Sequence, residues 1–214
     1  MTRPRLLDLF CGAGGAAVGY HRAGFDVVGV DIKPQPRYPF EFHQADAMTF
    51  PLDGFDAIHA SPPCQVFVTR GRTQRRADRP AHQNLVDATR VRLDGALVPW
   101  VMENVATSTL RRDLILCGSM FGLQVRRHRH FEGNPPLLPF TPCCDHSRPI
   151  FGVYGHGAGP KKERTDWGTV ADWRRAMGID WMTRDEITQA IPPAYTEFVG
   201  RHLIGALYAE GGAR

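Results

Sequence analysis

A doubly wound, Rossmann-like α/β fold is what this sequence predicts, and three observations predict it. The chain opens as strand, glycine-rich turn, helix and strand. Further short apolar runs end in prolines or polar residues, as buried parallel strands do. Reactive and acidic side chains stand at the ends of those runs rather than within them. At 214 residues, a single such domain buries roughly 70% of the surface its unfolded chain exposes, without covalent staples.

The opening strand is Arg5-Leu6-Leu7-Asp8-Leu9-Phe10, the turn is Cys11-Gly12-Ala13-Gly14-Gly15, and Ala16 to Ala23 continue as a helix. The second strand, Asp26 to Val30, ends in Asp31. Glycines at a strand-to-helix turn let the backbone approach a ligand, and an acid at the end of the next strand accepts hydrogen bonds from ribose hydroxyls. This spacing suits adenosine. The order Phe-x-Gly-x-Gly-Gly departs from the pyrophosphate-cradling Gly-x-Gly-x-x-Gly, so a cofactor without pyrophosphate fits better. A glycine turn alone also serves close packing. Asp46 follows His43-Gln44-Ala45 at a third strand end, where it either reads an adenine amino group or caps a helix.

The run Phe55 to Ala60 reads as a buried strand that leaves the sheet through Ser61-Pro62-Pro63-Cys64-Gln65. Two consecutive prolines fix φ and remove two donors, so the turn is stiff and Cys64 projects into a crevice as a nucleophile. Leu97-Val98-Pro99-Trp100-Val101-Met102 reads as another buried strand, with Glu103 just beyond its end. Ligands of doubly wound sheets lie beyond the carboxyl ends of the strands, so Phe10, Asp31, Asp46, Cys64 and Glu103 gather on one rim. In the tail, Thr183 with Glu186 forms a capping box, and Pro192-Pro193 starts a final helix with Tyr195, Phe198, Val199, Leu203 and Leu207 on one face.

The net charge of +4 is mild, but arginines crowd at Arg70, Arg72, Arg75, Arg76 and Arg79 and again at Arg126, Arg127 and Arg129. The first group lies in a polar segment, 66–84, placed to close over a substrate; an ordinary surface loop reads the same way. Five cysteines, no signal peptide and no apolar run of membrane-spanning length point to free thiols, a cytoplasmic location and no membrane contact. Cys143-Cys144, with His146 and His156, offers metal ligands. Adjacent cysteines are poorer tetrahedral partners than Cys-x-x-Cys, however, and Cys117 is distant in sequence, so no metal centre is expected. Cys11 and Cys117 read as small buried hydrophobes.

These motifs resemble the cytosine-5 DNA methyltransferase family, particularly its short phage or prophage forms. Asp8 to Gly15 resembles the cofactor turn, Asp31-Ile32 the ribose and adenine site, and Asp46-Ala47 the adenine edge. Pro62-Pro63-Cys64-Gln65 resembles the nucleophile loop, and Leu85 stands where the family has an apolar cofactor contact. Glu103-Asn104-Val105 resembles the catalytic Glu-Asn-Val, and Arg127-His128-Arg129 the later Arg-x-Arg element, with Val125 in place of the usual glutamine. Thr188-Gln189-Ala190-Ile191-Pro192-Pro193 resembles Gly-Asn-Ala-Val-Pro-Pro. The resemblance covers residues 6–131 and about 171–207.

It implies a Rossmann-like S-adenosylmethionine-dependent methyltransferase fold, with a catalytic domain over 1–133 and 169–214 and a short target-recognition insert at 134–168. The implied catalytic residues are Cys64, Glu103, Arg127 and Arg129. S-adenosylmethionine would be held by Phe10, Cys11, Gly12, Gly14, Asp31, Ile32, Asp46, Ala47, Pro63, Leu85, Gln189 and Ile191, and released as S-adenosylhomocysteine. Arg70, Arg72, Arg75 and Arg76 would contact nucleic acid, the partner being duplex DNA with its cytosine flipped out. So short an insert presents few side chains to base edges, which favours a short target site, relaxed specificity, or help from another subunit in a homo-oligomer. The same thiolate chemistry serves RNA.

Overall fold

The computed structural model describes residues 2–64, 67, 84–137, 140–153, 165–166 and 168–211. Strand β1 (Arg5–Leu9) leads into helix α1 (Gly15–Ala23), followed by β2 (Asp26–Asp31), β3 (Glu41–Gln44), β4 (Ala57–Ala60) and α2 (Val86–Asp94). Then come β5 (Trp100–Val105), β6 (Leu114–Leu116), a 3-10 turn (Gly118–Phe121) and β7 (Arg129–Asn134). A small parallel pair, β8 (Ile150–Phe151) and β9 (Thr165–Asp166), precedes α3 (Val170–Met177), α4 (Arg184–Gln189) and α5 (Pro193–Gly211).

The main sheet has seven strands in the order β3-β2-β1-β4-β5-β7-β6. The pairs from β3 through β5 are parallel, and β7 runs antiparallel to both β5 and β6. Order reverses between β1 and β4, the switch point at which doubly wound sheets open a crevice. Register aligns the rim: Leu9 lies beside Val30 and Ala60, Ala60 beside Met102, and Val105 beside Arg129.

Alternation along each strand feeds two cores. Leu6, Val27 and Val101 face α1 and α5 through Tyr20, Tyr195, Val199 and Leu203. Leu7, Leu9, Ile58, Trp100 and Met102 face α2 through Val86 and Leu93. Each fully buried large apolar side chain contributes ~1.5–3 kcal/mol, so the sheet is held from both faces. A third cluster joins Ala13 of the glycine turn and Val125 to Trp173, Met177 and Ile187 of α3 and α4. That packing explains the apolar residue at position 125.

The capping box predicted at Thr183 is formed. Its hydroxyl accepts from the Glu186 N–H, and Glu186 Oε2 accepts from the Thr183 N–H at 2.6 Å. The final helix starts at Pro193, as expected. Two boundaries differ from the sequence reading. Leu97 is fully exposed and β5 starts only at Trp100, because Pro99 lacks a donor and joins the ladder through its carbonyl alone, 3.0 Å from the Ile58 N–H. Glu103 therefore sits within β5, not past it. Asp46 lies two residues beyond β3, where its carboxylate accepts from the Met48 N–H at 2.8 Å and organises a turn. Among the described residues, no helix is long and apolar enough to cross a membrane.

Candidate active site

On the β1–β3 side, the rim is built from backbone and lone carboxylates. Phe10 leaves β1 at φ 58°, a left-handed conformation costing a non-glycine residue roughly 1–3 kcal/mol. It turns the chain so that the Gly12 N–H reaches Asp31 Oδ2 at 3.0 Å, while Asp31 Oδ1 takes the Lys33 N–H at 2.9 Å. Gly12, at φ +50°, faces open space: a Cβ there would meet nothing within 4 Å. Gly15 is the opposite case, since a Cβ would lie 2.5 Å from the Ile191 carbonyl oxygen. One glycine thus leaves room for a ligand, and the other lets the Gln189–Ile191 segment close against the turn. Trp181 Nε1 donates to the Ala13 carbonyl at 2.8 Å and ties the same turn to the tail. Ile32 is 67% exposed just past β2, Ala47 is buried, and Arg92 holds the Ala47 carbonyl at 2.9 Å. An exposed isoleucine beside a ribose-type aspartate and an open glycine is the set of surfaces an adenosine needs. S-adenosylmethionine fits these residues.

The β4–β5–β7 side is built from buried, coupled polar groups. Asn104, itself buried, donates to the Pro62 carbonyl at 2.8 Å and holds the nucleophile turn in place. The Phe67 N–H closes that turn on the Cys64 carbonyl at 2.9 Å. Glu103 is only 5% exposed, and its Oε1 lies 2.9 Å from Arg129 Nε as an ion pair without hydrogen-bond alignment. Burial pushes the Glu103 carboxyl above its ordinary range, while Arg129, Arg127 and the Ser61 hydroxyl pull against it. Burial likewise raises the Cys64 thiol; Arg129 lowers it, Glu103 raises it, and Arg127 lowers it further. Burial thus opposes ionisation of both groups, and Arg129 and Arg127 act against that effect.

Behind Glu103 runs a hydrogen-bonded chain that sequence spacing did not reveal. Ser61 bonds the Glu103 carboxylate, His59 Nε2 lies 2.8 Å from Ser61 Oγ, and Tyr20 Oη lies 2.9 Å from His59 Nδ1. His59 is completely buried, and its pKa is held down to about 3 by that burial, so the ring is neutral. A neutral ring donates through one nitrogen and accepts through the other, so Tyr20 and Ser61 take opposite roles on its two sides. Alternation in β4 and the polar His59 within it were the available signals.

Among the described residues, the hydrogen-bond partners of Arg127 lie on the tail and at Val153, and not on the nucleophile turn. Its guanidinium donates to the carbonyls of Thr188 at 2.7 Å, Ala190 at 2.9 Å and Val153 at 3.0 Å. It thus clamps the tail segment containing Gln189 and reaches Cys64 through its charge alone. Enclosure, with Arg129 beside it, lowers its pKa to about 9, leaving it charged at neutral pH. Its own backbone is left-handed at φ 41°, and Tyr195 Oη donates to the carbonyls of Arg126 and Arg127 at 3.1 and 3.0 Å to hold that conformation. Leu85 is half-buried at the start of α2, and Pro63 and Gln189 are exposed. Cys11 and Cys117 are buried, as read from sequence. Arg70, Arg72, Arg75, Arg76 and His156 lie outside the described residues.

Known proteins resemble this chain in sequence over its first part and in fold. Residues 4–107 match the C-5 cytosine-specific DNA methylase family. A type II methyltransferase, M.XorII of Xanthomonas oryzae pv. oryzae, is 60% identical over 35 residues, a stretch spanning 16% of this chain and 8% of that protein. Among solved structures, the Entamoeba histolytica methyltransferase EhMeth superposes with a TM-score of 0.61 at 12% identity, covering 97% of this chain and 99% of that one. The S. pombe Dnmt2 methyltransferase gives 0.59 at 12% identity, with 96% and 99% covered. A candidate DNA modification methyltransferase encoded within an E. coli prophage gives 0.59 at 14% identity over the same shares. At such identities the structures speak for the fold: the mixed α/β sheet is the one methyltransferases use. Over residues 4–107, just under half of its length, this chain is similar to the C-5 cytosine-specific DNA methylase family.

Proposed function

We propose that this chain transfers a methyl group from S-adenosylmethionine to carbon 5 of cytosine in duplex DNA, through a transient bond between Cys64 and the base. The observation that carries the reading is the convergence of Cys64, Glu103 and Arg129: Arg129 pairs with Glu103 at 2.9 Å, and both act on the proton affinity of the Cys64 thiol. Carbon 5 has no lone pair and must be activated before it can react. The Cys64 thiol loses its proton to solvent, the resulting thiolate bonds to carbon 6, and Glu103 in its acid form gives a proton to ring nitrogen 3. Electron density then collects at carbon 5. S-adenosylmethionine, when bound, supplies an electrophilic methyl group for that carbon. A base such as water then takes the carbon 5 hydrogen as a proton, the electrons of that bond expel the Cys64 thiolate from carbon 6, and nitrogen 3 returns its proton to Glu103, which restores the aromatic ring and the enzyme.

Arg129 serves two groups in this scheme. Its charge favours the Cys64 thiolate, and its pairing fixes the orientation of Glu103. Asp31, Ile32, Gly12, Asp46 and Ala47 would hold the cofactor, with Arg127 clamping Gln189 and Ile191 over it. Residues 134–168 would form the target-recognition insert. A base inside a duplex is unreachable, so flipping it out costs a few kcal/mol, which phosphate contacts offset.

A mechanism-based trap tests the reading. Duplex DNA carrying 5-fluorocytosine, incubated with the protein and S-adenosylmethionine, should yield a covalent adduct that peptide mass spectrometry places on Cys64. Single-stranded DNA and RNA run in parallel decide the polymer. No adduct on any of the three would overturn the reading, and an adduct on RNA alone would move the substrate to RNA.

A further inference from the structure

Four metal-ligating side chains that the reaction does not use converge at the far edge of the sheet. Cys117 caps the 3-10 turn after β6, His128 directly precedes β7, and Cys144 and His146 lie in the segment that follows β7. Their ligand atoms all fall within 4.8 Å of one another. We propose that Cys117, His128, Cys144 and His146 form a tetrahedral zinc site that fastens the segment after β7 to the sheet edge.

The distances fit the metal. Zinc–sulfur bonds of about 2.3 Å and zinc–nitrogen bonds of about 2.0–2.1 Å at tetrahedral angles place sulfur and nitrogen ~3.6 Å apart. Cys117 Sγ lies 3.4 Å from His146 Nε2, and Cys144 Sγ lies 3.6 Å from His128 Nε2. The two imidazoles stand edge to face, with centroids 5.1 Å apart and planes at 80°, each presenting its Nε2 to a cysteine sulfur. Two thiolates balance a divalent charge, and a mixed sulfur and imidazole set at tetrahedral spacing suits zinc over harder cations.

The surroundings supply outer contacts of the kind that orient metal ligands. Ser119 Oγ lies 3.3 Å from Cys117 Sγ, where it would donate to a thiolate, and it accepts the Asp145 N–H at 3.1 Å. Arg126 donates to the His146 carbonyl at 3.1 Å. The expectation from sequence weighed Cys143 beside Cys144 and set Cys117 aside as distant. The fold instead pairs Cys144 with Cys117 and adds His128, which no local spacing marks. With four protein ligands the site is closed, so its role is structural. It would join the segment carrying Cys144 and His146 to the residue between Arg127 and Arg129. This inference does not depend on the methyl-transfer reading.

Metal analysis of the purified full chain tests it. The protein is expressed with added zinc, purified without chelators under reducing conditions and assayed by mass spectrometry of the metal. The expected content is about one zinc per chain. Cys144→Ser should bring it close to zero, with the circular dichroism spectrum and elution volume of the wild type retained. Cys143→Ser, next door and exposed, should keep the metal. Cobalt substitution should give the thiolate charge-transfer and tetrahedral d–d bands in wild type, weakened in His128→Asn. Wild-type protein that stays metal-free with all thiols reduced would overturn the site. So would a Cys117–Cys144 disulfide in that protein, or loss of metal from Cys143→Ser as complete as from Cys144→Ser.

Discussion

The two halves of the rim reach their chemistry by different physical means. On the β1–β3 side, Asp31 is half-exposed, bonded to two backbone N–H groups and without an ion pair among the described residues, and Ile32 and Gly12 face outward. On the β4–β5–β7 side, Glu103 is buried, ion-paired and backed by Ser61, His59 and Tyr20, while the nucleophile turn is held by a buried asparagine. An open side built from separate contacts should fail contact by contact. A buried side built from charges and hydrogen bonds in contact should fail as a unit, because Arg129 and Glu103 both act on Cys64 and Arg129 acts on Glu103.

The largest effect expected from that contrast is at Cys64. Cys64→Ser should lower methyl transfer by roughly three orders of magnitude or more, since an alcohol cannot replace the thiolate as nucleophile. The dissociation constant for S-adenosylmethionine, read by calorimetry, should stay where it was. A weakened dissociation constant would show that the two halves are not separable.

Glu103→Gln comes next, with an expected loss of about 10²–10⁴-fold in kcat. Stability should move the other way. Because the folded pKa of Glu103 is raised, its contribution is fully present below the unfolded-state value and is lost as pH rises through the folded value. Glutamine does not ionise, so the melting temperature of the variant relative to wild type should climb with pH across that window. A difference that is flat in pH would remove the coupling from the β4–β5–β7 side.

Much of this contrast was legible in the sequence, and the reason for the rest is physical. The glycine turn, Asp31, the proline-braced Cys64 and the Thr183 capping box are local devices, each complete within a few residues, so spacing alone exposes them. The Ser61–His59–Tyr20 chain, the Asn104 bond to Pro62 and the Cys117–His128–Cys144–His146 cluster join residues that only the sheet topology brings together. Leu97 misled in the opposite sense: its apolar character suggested a buried strand, but Pro99 defers the ladder to Trp100. The partners of Arg127 were likewise out of reach of local spacing, since its donors meet the tail carbonyls of Thr188 and Ala190 more than sixty residues away.

On the open side, Asp31→Ala removes a carboxylate that makes charge-assisted hydrogen bonds, each worth about 1.5–3 kcal/mol. Affinity for S-adenosylmethionine should fall by roughly 10–100-fold, with kcat at saturating cofactor changed far less. A matching collapse in kcat would mean that Asp31 acts on the chemistry and not on the cofactor alone.

The smallest expected effect is also the most direct probe of the buried charges, the pH dependence of Cys64 alkylation by iodoacetamide in the unliganded protein. Burial places its midpoint above the ordinary thiol range. Arg129 is the strongest charge acting on the thiol and favours the thiolate, so Arg129→Met should move the midpoint upward. Glu103 opposes the thiolate more weakly, so Glu103→Gln should move it downward by less. The double variant tests whether the two act independently. Arg129 and Glu103 form an ion pair 2.9 Å apart, so each partly masks the other's field at the sulfur. Removing both should therefore leave the midpoint between those of the two single variants, with a residue that is not additive. Strict additivity would indicate that Cys64 senses two separate charges and that the pair is a neighbour of the nucleophile, not part of its machinery.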